Sequence, residues 1–313
     1  MQEESRVDIV LSTYNGAKHL PTQLESILSQ SHSNWKLWIR DDGSSDDTTK
    51  ILEQWSKRDH RIEVLSLLGG ENLGPIKSFA ALLQHSLEQG AKIISFCDQD
   101  DKWTRAKLKR TVDRFKEISG PGLVFSDLIH CDSNLTPLHS SYMQSMAFTP
   151  KESANDLKKI LCQNFIVGCA TSINAELAKL CLPIPDEALM HDWWAALVSL
   201  CTGGTNSYIS EALVCYRTHP ANVSGAGTKR GLNDFLQDRP SLSRSLFGRV
   251  HQAHALMSYS RNHHDVIIDF IEHLSKGGIL NAFKFHQKGF RFQGNKRQLG
   301  ALALLSRARN SEQ

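Results

Sequence analysis

Through the first 130 residues, short apolar runs alternate with segments whose apolar residues recur every three or four positions, and few architectures accommodate that rhythm. The runs at 7–12, 36–40, 61–66, 92–97 and 122–126 predict strands. Between them Leu20, Leu24, Ile27 and Leu28, then Ile51, Leu52 and Trp55, then Phe79, Leu82, Leu83 and Leu87, then Leu108, Val112 and Phe115 keep helical spacing. The expected result is an α/β fold, a mainly parallel central sheet with flanking helices. Small polar and acidic residues follow three of the strands: Thr13-Tyr14-Asn15-Gly16, Asp41-Asp42-Gly43-Ser44 and Asp98-Gln99-Asp100-Asp101. Ligands of open α/β sheets bind beyond the carboxyl ends of the strands, so these loops should converge on one cleft.

At 313 residues the chain can form one large catalytic body or two modest domains. Its 40% hydrophobic and 22% charged residues exclude collagenous and wholly disordered classes. No stretch nears the roughly 18 apolar residues of a membrane span, and the start MQEESRVDIV is unlike a secretory leader; a cytoplasmic protein is expected. Seven cysteines without a CxxC pair are expected to be reduced and mostly buried. Residues 229–313 carry 14 Lys and Arg against six Asp and Glu, whereas the first 228 carry 22 against 27. An acidic body is thus joined to a basic tail, and the two should meet different partners. The stretch 128–228 is less periodic; it suggests a mixed run at 165–173, a helix near 192–200 and a hairpin at 207–216. From about 232 the pattern is helical and basic, with breaks at Pro240, Gly277-Gly278 and Gly294.

The segment FCDQDD, 96–101, carries the sharpest chemistry, because a buried-type strand ends in three carboxylates. Carboxylates in one turn repel unless a proton or cation lies between them, and Mg²⁺ and Mn²⁺ take such oxygen ligands. A solvated turn capping the next helix is the alternative for a lone DxD, and the second acidic loop at 41–42 weighs against it. In RDDGSSDDT, 40–48, Ser45 or Asp46 can cap the following helix, which leaves Asp41-Asp42 free to accept a nucleobase N–H.

Taken in order, STYNG, DDGSSDDT, ENLGPIKSF, DQDD, HDWW and YRTHPANVSG resemble a bacterial family 2 glycosyltransferase of the GT-A fold, closest to its rhamnosyltransferase-like members. The resemblance spans residues 7 to about 225 and divides the chain into a GT-A domain, 1–228, and a basic helical extension, 229–313. It implies a pyrimidine nucleotide-sugar donor, dTDP- or UDP-linked, with Ser12, Tyr14, Asn15 and Asp42 around the nucleotide. Tyr14 would stack and Asp42 would accept the ring N–H. The family DxD falls on Asp98 and Asp100, with Mg²⁺ or Mn²⁺ on Asp100, Asp98 and His219 bridging the pyrophosphate. Asp192 of HDWW corresponds to the base of an inverting transfer, although an Asp favoured by the helix dipole, with the two tryptophans as core, is the alternative. Trp193 and Trp194 cannot share a helix face, so one could floor a sugar site. Lys77 and Arg217 would face the diphosphate, Lys77 being equally compatible with a polar loop.

The implied reaction is transfer of a sugar, plausibly L-rhamnose, to a cell-surface polysaccharide or lipid-linked glycan precursor. The tail interleaves Lys284, Lys288, Arg291, Lys296, Arg297, Arg307 and Arg309 with Phe283, Phe285, Phe290 and Phe292. That composition suits peripheral contact with the anionic inner face of the cell membrane, or else a solvated face packed on the body. A nucleic-acid partner is not expected, since no binding module accompanies the charge. Two rivals remain at this level: a nucleotidyltransferase, although no GxxxxGK[ST] loop is present, and a non-catalytic scaffold.

Overall fold

The computed structural model describes residues 5–66, 71–219, 239–260, 262–276 and 278–292, with backbone alone for 239–244 and 279. β1 (Val7–Thr13), β2 (Trp35–Asp41), β3 (Ile62–Val64) and β4 (Ile93–Cys97) are parallel. Their crossovers are α1 (Leu20–Leu28), α2 (Thr48–Arg58) and α3 (Gly74–Glu88). β1 and β4 are covered on both faces, which is why they read as continuous apolar runs rather than alternating ones. The carboxylate of Asp8, buried in β1, is satisfied by Arg6, Trp38 Nε1 at 2.7 Å and Ser86 Oγ at 3.0 Å.

Beyond β4 the chain adds β5 (Lys102–Trp103), α4 (Lys107–Phe115), β6 (Gly122–Cys131) and β7 (Pro137–His139). Short helices α5 (Tyr142–Ser145), α6 (Pro150–Ser153) and α7 (Leu157–Cys162) lead to β8 (Thr171–Asn174), α8 (Ala175–Cys181), α9 (His191–Cys201) and β9 (Thr205–Arg217). The sheet order is β3-β2-β1-β4-β8-β6-β9-β5, with β7 on β6. β8 runs antiparallel between β4 and β6, so the sheet is mixed at its centre as well as mainly parallel.

The hairpin expected at 207–216 is instead one strand, β9, parallel to β6. Its register slips where Ser126 faces Ile209 and Asp127 faces Ala212, so the exposed Ser210 and Glu211 form a bulge. Two adjacent polar residues in an apolar strand mimic a turn.

α9 is buried at every residue, as a helix apolar all round must be. It packs against α3, α7, α8, β6 and β9. Trp193 and Trp194 are both core: their indole N–H groups donate to Ile160 O at 2.7 Å and Cys181 O at 3.1 Å. Neither forms an open sugar floor, because α9 is enclosed on both sides.

The tail forms α10 (Arg239–Leu256), α11 (His264–Lys276) and α12 (Ile279–Gln287). Pro240 lies in the first turn of α10, where its missing N–H costs nothing, so it starts this helix rather than breaking it. Val250, Leu256, Phe270, Phe285 and Phe290 join the apolar cluster of Ile160, Trp193 and Trp194, and the tail is thereby packed on the body. Leu280 and Phe283 on α12 remain 80% and 60% exposed. The boundary at 228/229, Gly277, Gly294, Lys296, Arg297, Arg307 and Arg309 lie outside the described residues. All seven cysteines are free, and six are buried.

Candidate active site

Three strand ends are sewn together by side chains. Gln99 Oε1 accepts from Tyr14 N–H at 3.0 Å and the Thr13 hydroxyl at 2.5 Å, while its amide donates to Tyr14 O. A side chain at Gly16 would run into the end of the Gln99 side chain and force it to shift. Asn15, at φ +49°, donates its N–H to Ser44 Oγ at 2.8 Å and accepts from Ser45 N–H at 2.8 Å. The N-cap position of α2 falls on Asp47 rather than on Ser45 or Asp46, and Asp46, one residue earlier, accepts from Thr48 N–H at 3.0 Å. Ser12 lies level with Arg40 in the β1/β2 register, and Tyr14 is 48% exposed above it.

Asp42 is buried, and most of its donors converge on Oδ1. Its carboxylate pairs with Arg40 and accepts from Leu73 N–H at 2.8 Å, Gly74 N–H at 2.9 Å and Ser78 Oγ at 3.0 Å. Burial works to raise its pKa, but these donors together hold the carboxyl below its ordinary value. Lys77, one turn into α3, lies 3.3 Å from Asp186, both side chains being mostly exposed.

The end of β4 behaves oppositely. Burial, then the charges of Asp101, Asp100 and Asp192, push the Asp98 carboxyl well above its ordinary range. Burial and Asp100 raise Asp101 to about 7, against a hydrogen bond from Cys169 and the N–H of Arg217. Asp101 Oδ1 accepts that N–H at 2.9 Å. Asp98, Asp101 and the Cys169 thiol bring ligand atoms within 4.8 Å of one another. His219 Nε2 lies 2.7 Å from Asp100 Oδ2, and its ring stacks on His19 at 5.3 Å. Arg217 donates from Nε to Asp100 O and from Nη1 to Ser133 O, both at 2.6 Å, and so clamps the acidic loop to the end of β9.

Asp192 is the second residue of α9 and acts electrostatically on Asp98, which brings strand end and helix start together. Burial raises its carboxyl to about 7, against donors at Trp193 N–H, Gly168 N–H and the Asn164 amide. A Cβ at Gly168 would stand 3.2 Å from Asp192 Oδ2 and His191 Nε2. His191 is stacked on Phe79 at 4.0 Å, and burial lowers its imidazole to about 3.

The donor set fits a hard divalent cation: clustered carboxylate oxygens, one imidazole and repulsion that a cation would relieve. Of the residues named from sequence, Asp100 meets His219, and Asp98 feels the charges of Asp100 and Asp192, but the trio whose ligand atoms cluster among the described residues is Asp98, Asp101 and Cys169 rather than Asp98, Asp100 and His219. Sequence reasoning missed Gln99, Cys169, Asn164 and Gly168. Gln99 was findable as the residue inside DxD; the other three lie on a stretch without periodicity and gain meaning only once β8 is inserted beside β4.

The family model of glycosyl transferase family 2 matches residues 8–174, more than half of the chain. The chain belongs to glycosyl transferase family 2. It is 29% identical over 219 residues to Bacillus subtilis TuaG, named for teichuronic acid biosynthesis, covering 70% of this chain and 81% of that one. It is 32% identical over 105 residues to the dTDP-rhamnosyl transferase RfbG of Shigella flexneri, covering 33% and 36%. S. aureus TarS 1-349 in complex with UDP-GlcNAc aligns with TM-score 0.58 at 14% identity, covering 98% of this chain and 92% of that one. The mannosyltransferase PcManGT of Pyrobaculum calidifontis, in complex with GDP-Man and Mn²⁺, aligns with TM-score 0.57 at 15% identity, covering 99% and 81%. The fold is GT-A, and the protein is a glycosyltransferase rather than a nucleotidyltransferase.

Proposed function

We propose that this family 2 enzyme is an inverting, divalent-cation-dependent transferase that moves a sugar from a pyrimidine nucleotide donor to a cell-surface polysaccharide or its lipid-linked precursor. The observation that carries the reading is that Asp98 lies within electrostatic reach of both Asp192 and Asp100, the latter 2.7 Å from His219. Asp100, Asp98 and His219 would hold Mg²⁺ or Mn²⁺, which supplies Lewis-acid neutralisation of the departing diphosphate. Asp192, with a pKa near neutrality, is suited to take the acceptor hydroxyl's proton. His191, neutral at that pH, adds no competing charge beside it.

Asp42 Oδ2 takes one bond, from Gly74, and retains a lone-pair direction for a base imide N–H. Tyr14 offers its exposed ring to stack on the base, Ser12 and Asn15 shape the same wall, and Arg217 sets positive charge behind the acidic loop. Lys77 would reach the diphosphate by leaving Asp186, an exposed pair worth at most about 1 kcal/mol. The RfbG likeness supports L-rhamnose and the TuaG likeness supports a cell-wall polysaccharide acceptor.

Among the described residues no helix is long and apolar enough to cross a membrane. Leu280 and Phe283, beside Lys284, suit peripheral contact at the inner face of the cell membrane, where a lipid-linked acceptor is presented. A hydrolysis screen of dTDP-rhamnose and UDP-sugars with Mn²⁺ and no acceptor tests the reading. Slow release of one sugar identifies the donor; hydrolysis of none of them, with no Mn²⁺-dependent nucleotide binding, rejects it and favours the scaffold.

A further inference from the structure

Among the described residues, Arg249, on α10, is a cation without a carboxylate partner. Its Nε and Nη1 are buried and have no hydrogen-bond partner, although the residue as a whole keeps intermediate exposure. The guanidinium stands 5.7 Å from the ring of Trp193 and 5.3 Å from that of Phe292. Burial lowers its pKa to about 10. Two aromatic rings make a buried guanidinium tolerable, but ring faces do not satisfy in-plane N–H donors, and buried arginine is normally paired.

The surroundings add positive charge. The charges of both Arg249 and Arg291 act on the Cys162 thiol, which also meets the Arg291 N–H. Lys158 lies 5.7 Å from the Phe290 ring and donates to Lys288 O at 2.7 Å. The one acid that acts on Cys162 is Asp156, and it is occupied at the start of α7 by Lys158 N–H at 3.0 Å, with Lys159 Nζ at 3.8 Å.

Cys162 closes α7, and two residues further Asn164 donates to Asp192. Two residues span at most about 7 Å, so Cys162, beside the cationic patch, and Asn164, which contacts the proposed base, are close neighbours on one segment. We infer that Arg249, with Arg291 and Lys158, forms a phosphate-binding site on the acceptor side, taking the phosphate or diphosphate through which the acceptor glycan is carried. The planar fork of Arg249 is the donor geometry that bidentate phosphate recognition uses. The anion site stands on its own geometry; its assignment to the acceptor rests on the sugar-transfer reading.

The test is calorimetry on the full chain in EDTA, which removes any cation-bridged binding at the DxD loop, with inorganic pyrophosphate, farnesyl diphosphate and phosphatidylcholine vesicles containing phosphatidylglycerol as probes. Wild type should bind a phosphate probe, and Arg249→Met should weaken that binding by about 10- to 100-fold, the range of a charge-assisted pair. UDP binding with Mn²⁺ should stay unchanged in the same variant. Tighter binding of farnesyl diphosphate than of pyrophosphate assigns the phosphate to a lipid-linked source, equal binding to a free one, and vesicle binding lost in the variant to a headgroup. Arg249→Lys keeps the charge but not the fork, folds where the Met variant does not, and should still lose at least about threefold. Unchanged affinity in both variants, or no probe bound in EDTA, overturns the site. Loss of UDP binding with the phosphate site intact would instead count against the transfer reading.

Discussion

Asp42, buried, and Asp98, partly buried, follow the ends of β2 and β4, the parallel strands on either side of β1, yet their surroundings treat charge in opposite ways. Around Asp42, Arg40, Ser78 and two N–H groups favour the ionised form. Around Asp98, burial and three further carboxylates oppose it. The first loop is held by its own partners; the second gathers carboxylates whose repulsion a cation would relieve. On the proposed reading, the partner set separates a structural acid from a cation ligand.

The sharpest way to break this contrast is Asp192→Asn, which keeps shape and removes the base. Turnover should fall about 10²- to 10⁴-fold while nucleotide binding persists, measured by single-turnover assay and calorimetry; near-native turnover would remove Asp192 from the chemistry. Asp42→Ala should act through the fold, because it removes the carboxylate paired with the buried Arg40. A loss of about 3–5 kcal/mol in denaturant unfolding is expected, and an unchanged midpoint would show that Asp42 is not structural. Asp100→Asn should do the reverse, leaving stability nearly intact and weakening Mn²⁺-dependent donor binding by more than about 100-fold.

Smaller effects sharpen the electrostatics. Activity should rise as pH climbs through about 7, where Asp192 ionises. Asn164→Ala removes a donor to the ionised form and should move that limb upward by about one unit, read from the pH dependence of kcat/KM. Asp101 and Asp192, both near 7, hold protons that the unfolded chain releases at ordinary carboxyl values. Stability of the metal-free protein therefore falls as pH rises from about 4 through 7, and Mn²⁺ should raise Tm more at pH 8 than at pH 6. A pH-independent Mn²⁺ shift would contradict the raised carboxyls.

The parallel half of the fold and its three polar strand ends were legible because β1, β2 and β4 are local apolar runs with local helical crossovers. The other half was not. β8 joins β4 to β6 across more than 70 residues of chain, and β9 hides a bulge behind Ser210 and Glu211 that reads as a turn. The same limit applied to the site. Asp98, Asp100 and Asp192 stood out by motif, whereas Asn164 and Gly168 matter only because a non-local strand brings their segment beside α9. Arg249 was one of 14 basic tail residues, and nothing in sequence distinguishes a buried orphan from a solvated one.

The central claim is that the strand ends gather a cation-bound nucleoside diphosphate. Calorimetric titration with UDP, dTDP and GDP, each with Mn²⁺ and with EDTA, tests it most directly. At least one nucleotide should bind, Mn²⁺ should tighten it by at least about tenfold, or about 1.4 kcal/mol, and Asp100→Asn should lose that gain. Equal affinity with and without Mn²⁺ for every nucleotide, or a gain that survives in Asp100→Asn, would contradict it.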